Sequence, residues 1–203
     1  MIKPGKPVKD IRIKKGDSIN SIFDQMSKSG GFESKNLVDG LNILTAMIED
    51  KNCLKFMSFV GAVVSTGLRG VITDMVKNKM CDVIITTCGA LDHDIARHYS
   101  NYLEGSFTMD DSELVEKEIH RLGNVLVPLK SYGPLIEEKM QGYLQKAFKE
   151  GKKEMATHDV TKMIGENLGE DSFLYWANKN NIPAGPPGGR DRRHGALPGA
   201  DRP

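Results

Sequence analysis

An α/β fold, built on a parallel sheet with flanking helices and incomplete at its C-terminus, is predicted by three observations. Three short apolar runs lack polar alternation, as strands buried on both faces do: LKFMSFV (54–60), DVIITT (82–87) and NVLVP (124–128). Amphipathic stretches separate them, which argues for right-handed crossovers between parallel strands. Three strands are few for such a sheet. A further one falls due just after NNIP, where only 20 residues remain.

The elements follow in order. Positions 1–16 are polar and read as extended. SINSIFDQMSKSGG opens on Ser18, a candidate N-cap, and sets Ile19, Ile22, Phe23 and Met26 on one helical face. Gly30 and Gly31 stop it. A second helix carries a stripe of Leu37, Leu41, Leu44 and Met47 or Ile48. After the first strand Gly61 marks a turn, and 65–80 reads as a helix with Leu68, Ile72, Met75 and Val76 inward. The second strand gives way to a turn, CGALDHD, and more helix. Beyond NVLVP, the third strand, SYGPLIEEKMQGYLQKAFKEGKK, THDVTKMIGENLG and EDSFLYWANKNN read as three helices.

Composition bounds the function. With 28 basic and 27 acidic side chains the net charge is +1, which argues against a generally basic nucleic-acid binder and against an acidic tail protein. No apolar run approaches the roughly 18 residues of a membrane span. MIKPGKPVKD lacks the apolar stretch of a signal peptide, so a cytoplasmic location is expected. Cys53, Cys81 and Cys88 form no even framework and no CxxC pair, as suits a reducing compartment. Usage breaks at the end. Residues 184–203 hold four of the nine prolines and four arginines but no lysine, and read as a disordered tail unlike 1–183.

In open α/β sheets, ligands bind beyond the carboxyl ends of the strands. Two segments qualify. In VGAVVSTG (60–67), Gly61 and Ala62 permit close backbone approach, while Ser65 and Thr66 offer hydroxyls and helix-start amides to a phosphate or ribose; tight-turn packing is the alternative. In TTCGALDHD (86–94), Asp92, His93 and Asp94 could hold a polyamine or a ribose hydroxyl, or only favour a helix start through its dipole. A metal on Asp92, His93, Asp94 and His98 is conceivable, although adjacent helical residues point apart. Cys88 reads as a buried thiol at a tight turn rather than a nucleophile. His120 and His158 read as surface or capping residues, and Trp176 as a packing residue. The pairs Lys152–Lys153 and Arg192–Arg193 are too short to argue nucleic-acid binding.

Several stretches taken together closely resemble the deoxyhypusine synthase family, above all its archaeal members: STGLRGVITDMVKNKMCDVIITT, TTCGALDHDIARHY, YLEGSF, HRLGNVLVP with SYG, TKMIGENLG and YWANKNNIP. The resemblance implies a Rossmann-like homotetramer with active sites at subunit interfaces. It also implies a transferase that uses NAD. Spermidine is oxidised, and its aminobutyl group passes through an imine on an enzyme lysine to a lysine of the translation initiation factor 5A precursor, the first step to hypusine. By motif, Gly61, Ala62, Val63, Val64 and Ser65 match the family's first NAD loop, and Thr87, Cys88 and Gly89 its second. Asp92 and His93 match two acidic positions near spermidine and the nicotinamide. His93 departs from the acid of eukaryotic members, and Gly61-Ala62 replaces a Ser-Asn pair.

The resemblance stops after NIP. There the family continues through a strand, a Thr-Asp-Gly motif, glycine-rich loops and the imine lysine, so no catalytic residue can be assigned here and the chain alone is expected to be inactive. Codons for 190–195 can be chosen that give Val-Thr-Asp-Gly-Met one base later, which suggests a frameshifted tail. The alternative is a regulatory or binding subunit that pairs with a full-length homologue.

Overall fold

The computed structural model describes residues 5–186. The chain divides between Cys53 and Leu54 into two compact units, a boundary inside the span 1–183 that the sequence reading takes as one domain.

The first unit is a helical pair. The helix α1 (Ile19–Ser29) starts where Ser18 Oγ accepts the Ser21 amide at 3.1 Å, which satisfies an amide left open by the first turn. It ends at Gly30 with φ +68°, a left-handed position that glycine takes without strain. The following helix, α2 (Phe32–Glu49), carries the expected apolar stripe, but Leu37, Leu41, Leu44 and Ile48 are exposed and Val38 alone is buried in it.

The second unit holds the sheet. Strands β1 (Phe56–Phe59) and β2 (Val83–Thr86) pair in parallel, Phe56 opposite Val83 through Phe59 opposite Thr86. Thr86 Oγ1 donates to the Phe59 carbonyl at 2.6 Å and fastens the two carboxyl ends. Between them the chain forms one helical turn, α3 (Gly61–Val64), and then α4 (Arg69–Lys77), so the expected helix 65–80 is shorter and a separate turn begins at Gly61. The helix α5 (Cys88–Tyr99) starts directly after β2, without the expected turn.

NVLVP does not join the parallel sheet. β3 (Leu103–Glu104) leads into α6 (Asp111–Glu116), and then β4 (Ile119–Leu122) and β5 (Val125–Pro128) form a hairpin; the three strands make an antiparallel sheet in the order β3-β5-β4. The reason is local. Only Gly123 and Asn124 separate the paired Leu122 and Val125, and Gly123 has φ +64°, as a two-residue hairpin with glycine first requires. A parallel partner would need a long crossover, and two residues cannot make one.

Three helices follow as expected: α7 (Gly133–Lys149), α8 (Thr157–Glu166) and α9 (Phe173–Lys179). The third strand of the parallel sheet is β6 (Ala184–Gly185), which pairs with β2 through Ile84 and Ile85 and gives the order β1-β2-β6. Ala184 and Gly185 fall within the expected tail and are strand instead; positions 187–203 of that tail lie outside the described residues. The core joins Val64, Val76, Ile84, Leu91, Ile95, Ile164, Phe173 and Leu174, with Phe59 edge-on to Phe173 at 5.4 Å between ring centres. Each such side chain contributes about 1.5–3 kcal/mol by leaving water.

Candidate functional site

The two glycine-containing segments lie side by side at the carboxyl ends of β1 and β2. A Cβ added at Gly61 would stand 2.8 Å from the Gly89 carbonyl carbon and 2.9 Å from the Ala90 nitrogen. Both neighbours are backbone, so position 61 tolerates no side chain without moving α5. The Gly61 amide donates to Thr87 Oγ1 at 3.1 Å, and no side chain caps the first turn of α5. The N-terminal end of this 12-residue helix therefore keeps its positive dipole end uncovered by a capping group.

Within the first segment Ala62 is exposed and Val63 half-buried, whereas Val64 is wholly buried in the core. Ser65 is buried too, and its hydroxyl donates to the Ala62 carbonyl at 2.8 Å. In the second segment Thr87 is exposed, Gly89 half-buried and Cys88 buried, where its thiol sits as a small core group. Among the described residues the cysteines form no disulfide.

Helical geometry sends Asp92, His93 and Asp94 in different directions. Asp94 points inward, wholly buried, and accepts from Arg69 Nε at 2.7 Å, Ser172 Oγ at 2.7 Å and the Leu174 amide at 3.1 Å. Burial pushes its carboxyl up, while the Arg69 guanidinium, the Ser172 hydroxyl and the Leu174 amide favour the charged form. Arg69 also reaches Asp171 Oδ2 at 3.1 Å, and Asp171 Oδ1 meets His98 Nδ1 at 2.7 Å. Asp94 and His98 are thus engaged in a structural network. Among the described residues no group of three or more His, Cys, Asp or Glu could hold a metal, so the conceivable metal set is not assembled.

Asp92 and His93 are brought together with two tyrosines. The Tyr132 hydroxyl lies 3.5 Å from Asp92 Oδ2, and the Tyr132 ring tilts over His93 at 5.1 Å. His93 Nδ1 is 2.8 Å from the Tyr102 hydroxyl, the two rings meeting edge to face. Burial pulls His93 below its ordinary value, Asp92 opposes this, and Arg97 adds to it. Arg97 donates to the Val64 carbonyl at 3.0 Å and to the Thr66 carbonyl, which ties α5 to the first segment. Sequence reasoning singled out none of Arg69, Arg97, Tyr102, Tyr132 or Asp171. Tyr102 and Tyr132 sit in YLEGSF and SYG, stretches quoted above for another reason, and Arg97 stands one helical turn beyond His93. His120 lies exposed on β4, and Trp176 packs on α9 with its Nε1 donating to the Glu170 carbonyl.

Paired glycine segments, an uncapped helix start and a half-buried carboxylate–histidine pair at the carboxyl edge of a parallel sheet describe an α/β protein with a candidate ligand site where such folds place one. The deoxyhypusine synthase family model matches residues 21–197, and the chain belongs to that family. It is 48% identical over 192 residues to a probable deoxyhypusine synthase of Thermoplasma volcanium, covering 94% of this chain and 61% of that one. Against the corresponding proteins of Thermoplasma acidophilum and Ignicoccus hospitalis the identities are 45% and 35%, over 94% and 95% of this chain and 61% and 60% of theirs. A solved structure of a deoxyhypusine synthase candidate from Entamoeba histolytica superposes with a TM-score of 0.59 at 21% identity, over 89% of this chain and 64% of that one, a likeness of fold. The chain spans about three-fifths of the length of the curated relatives it matches. No helix among the described residues is long and apolar enough to cross a membrane.

Proposed function

We propose that this chain supplies the NAD- and polyamine-facing part of a deoxyhypusine synthase, which moves the aminobutyl group of spermidine to a lysine of the translation initiation factor 5A precursor. The reading includes a cytoplasmic homotetramer. The observation that carries it is the contact of Gly61 with Gly89 in a chain of this family, which sets two backbone segments together beside the uncapped start of α5. Those residues suit a dinucleotide, because main-chain groups and a helix dipole hold phosphates without side-chain charge. Ala62, Val63, Thr87 and Gly89 would hold it at accessible or half-buried positions, with buried Gly61, Val64, Ser65 and Cys88 contributing backbone. When bound, NAD would accept a hydride from the polyamine carbon next to the nitrogen released.

The chain's own groups then bind and orient the amine. Asp92 carries the charge that attracts an ammonium, Tyr132 directs that carboxylate, and His93 stands beside it on the same turn. No lysine here is assigned to the imine. Equilibrium dialysis with labelled NAD tests the reading: the chain retains NAD, Gly61→Ala weakens retention at least about tenfold, and Asp92→Ala leaves it in place. A folded chain that retains no NAD overturns it.

A further inference from the structure

We propose that Tyr102 is a positioning residue that holds His93 as the neutral, Nε2-protonated tautomer, so that a neutral N–H donor stands beside the Asp92 carboxylate. What the pair serves rests on the polyamine reading above; the tautomer itself does not. Among the described residues the Tyr102 hydroxyl has one hydrogen-bond partner, His93 Nδ1 at 2.8 Å. If Nδ1 carried a proton and donated it, the half-buried phenol proton would be left without an acceptor. An unmet donor costs more than an unused oxygen lone pair, so the hydroxyl donates and Nδ1 accepts. The phenol keeps its proton for this role, because burial first, and then Tyr132 and Asp92, push its ionisation up against the pull of Arg97.

An imidazolium would also have to donate from Nδ1, and the surroundings oppose it. On its own helix His93 faces Asp92, which favours the charge, and Arg97, which disfavours it together with burial. The segments packed against it bring the two tyrosines. Their rings fix the imidazole plane, Tyr102 at 84° and Tyr132 at 35° to it. Arg97 stands 5.9 Å from the Tyr102 ring centre while holding the Val64 and Thr66 carbonyls, so this arginine links the tyrosine to the first glycine segment.

Nitrogen NMR of the 203-residue chain labelled at histidine reads the tautomer directly. His93→Gln identifies the resonance by its loss among the chain's five histidines. The expected wild-type pattern has an acceptor-type Nδ1 and a protonated Nε2. Tyr102→Phe keeps the ring and removes the donor, and the Nδ1 signal should shift toward the value averaged between tautomers. A protonated Nδ1 in the wild type, or an unshifted signal in a folded Tyr102→Phe, overturns the proposal. Should that variant not fold, the wild-type pattern alone decides. Absence of polyamine binding would refute the functional reading and leave these signals unmoved.

Discussion

Two residues on adjacent positions of α5, His93 and Asp94, face opposite fates and give opposite predictions. His93 is depressed by burial, so it folds neutral. An unfolded chain takes up a proton near pH 6.5 that the folded chain refuses. Stability from this group is therefore complete above about pH 6.5 and is lost as pH falls toward the lowered folded value. Thermal midpoints of the wild type should drop across that range, and those of His93→Gln should drop less; parallel curves would refute the assignment. Asp94 is held by charge instead. Removing its carboxyl in Asp94→Ala takes away the buried partner of the Arg69 guanidinium, whose side chain is only 8% exposed, and leaves it the half-exposed Asp171. A buried charge left with no partner costs about 3–5 kcal/mol; with Asp171 still in reach the loss should fall at or below that range in urea unfolding, and Arg69→Met/Asp94→Leu should cost less than either single change.

At the scale of elements, glycine contacts set how closely segments approach. Gly165 on α8 would, with a Cβ, stand 2.5 Å from the Leu174 carbonyl oxygen on α9, and Leu174 is itself fixed through its amide to Asp94. Gly165→Ala should cost about 1–3 kcal/mol through forced backbone movement, measured by urea unfolding; a neutral effect would mean that the two helices separate freely. This contact is invisible in the sequence, whereas α1 was legible because Ser18 and Gly30 bracket a local period. β1 and β2 were legible as apolar runs of strand length, and the parallel class followed from their spacing. NVLVP misled for a physical reason: an apolar run states burial, not partner, and the deciding signal was the Gly123–Asn124 turn before it. The site divides in the same way. Asp92 and His93 lie in one motif, but Tyr132 comes from 40 residues away and Asp171 reaches Arg69 across 102, pairings no periodicity encodes.

At the scale of the whole molecule, the parallel sheet of the described residues presents an apolar edge. In the order β1-β2-β6, β1 has one strand neighbour among the described residues, and around it Leu54, Phe56 and Val60 are 62%, 57% and 57% exposed. An apolar edge of this kind offers backbone and side chains to any further strand, including that of another copy. The matched part of the Thermoplasma volcanium relative is 61% of its length, so about two-fifths of that protein has no counterpart in the alignment. Joining that remaining portion to residue 183 of this chain should give a protein that transfers label from spermidine to the factor 5A precursor, while the 203-residue chain labels none. Light scattering should show the short chain self-associating and the joined protein monodisperse. Phe56→Lys separates the two roles of the edge: it should lower self-association of the short chain and impair the joined protein. Labelling by the short chain would refute the expectation of inactivity, and an indifferent Phe56→Lys in both proteins would show that β1 is not the surface at which they differ.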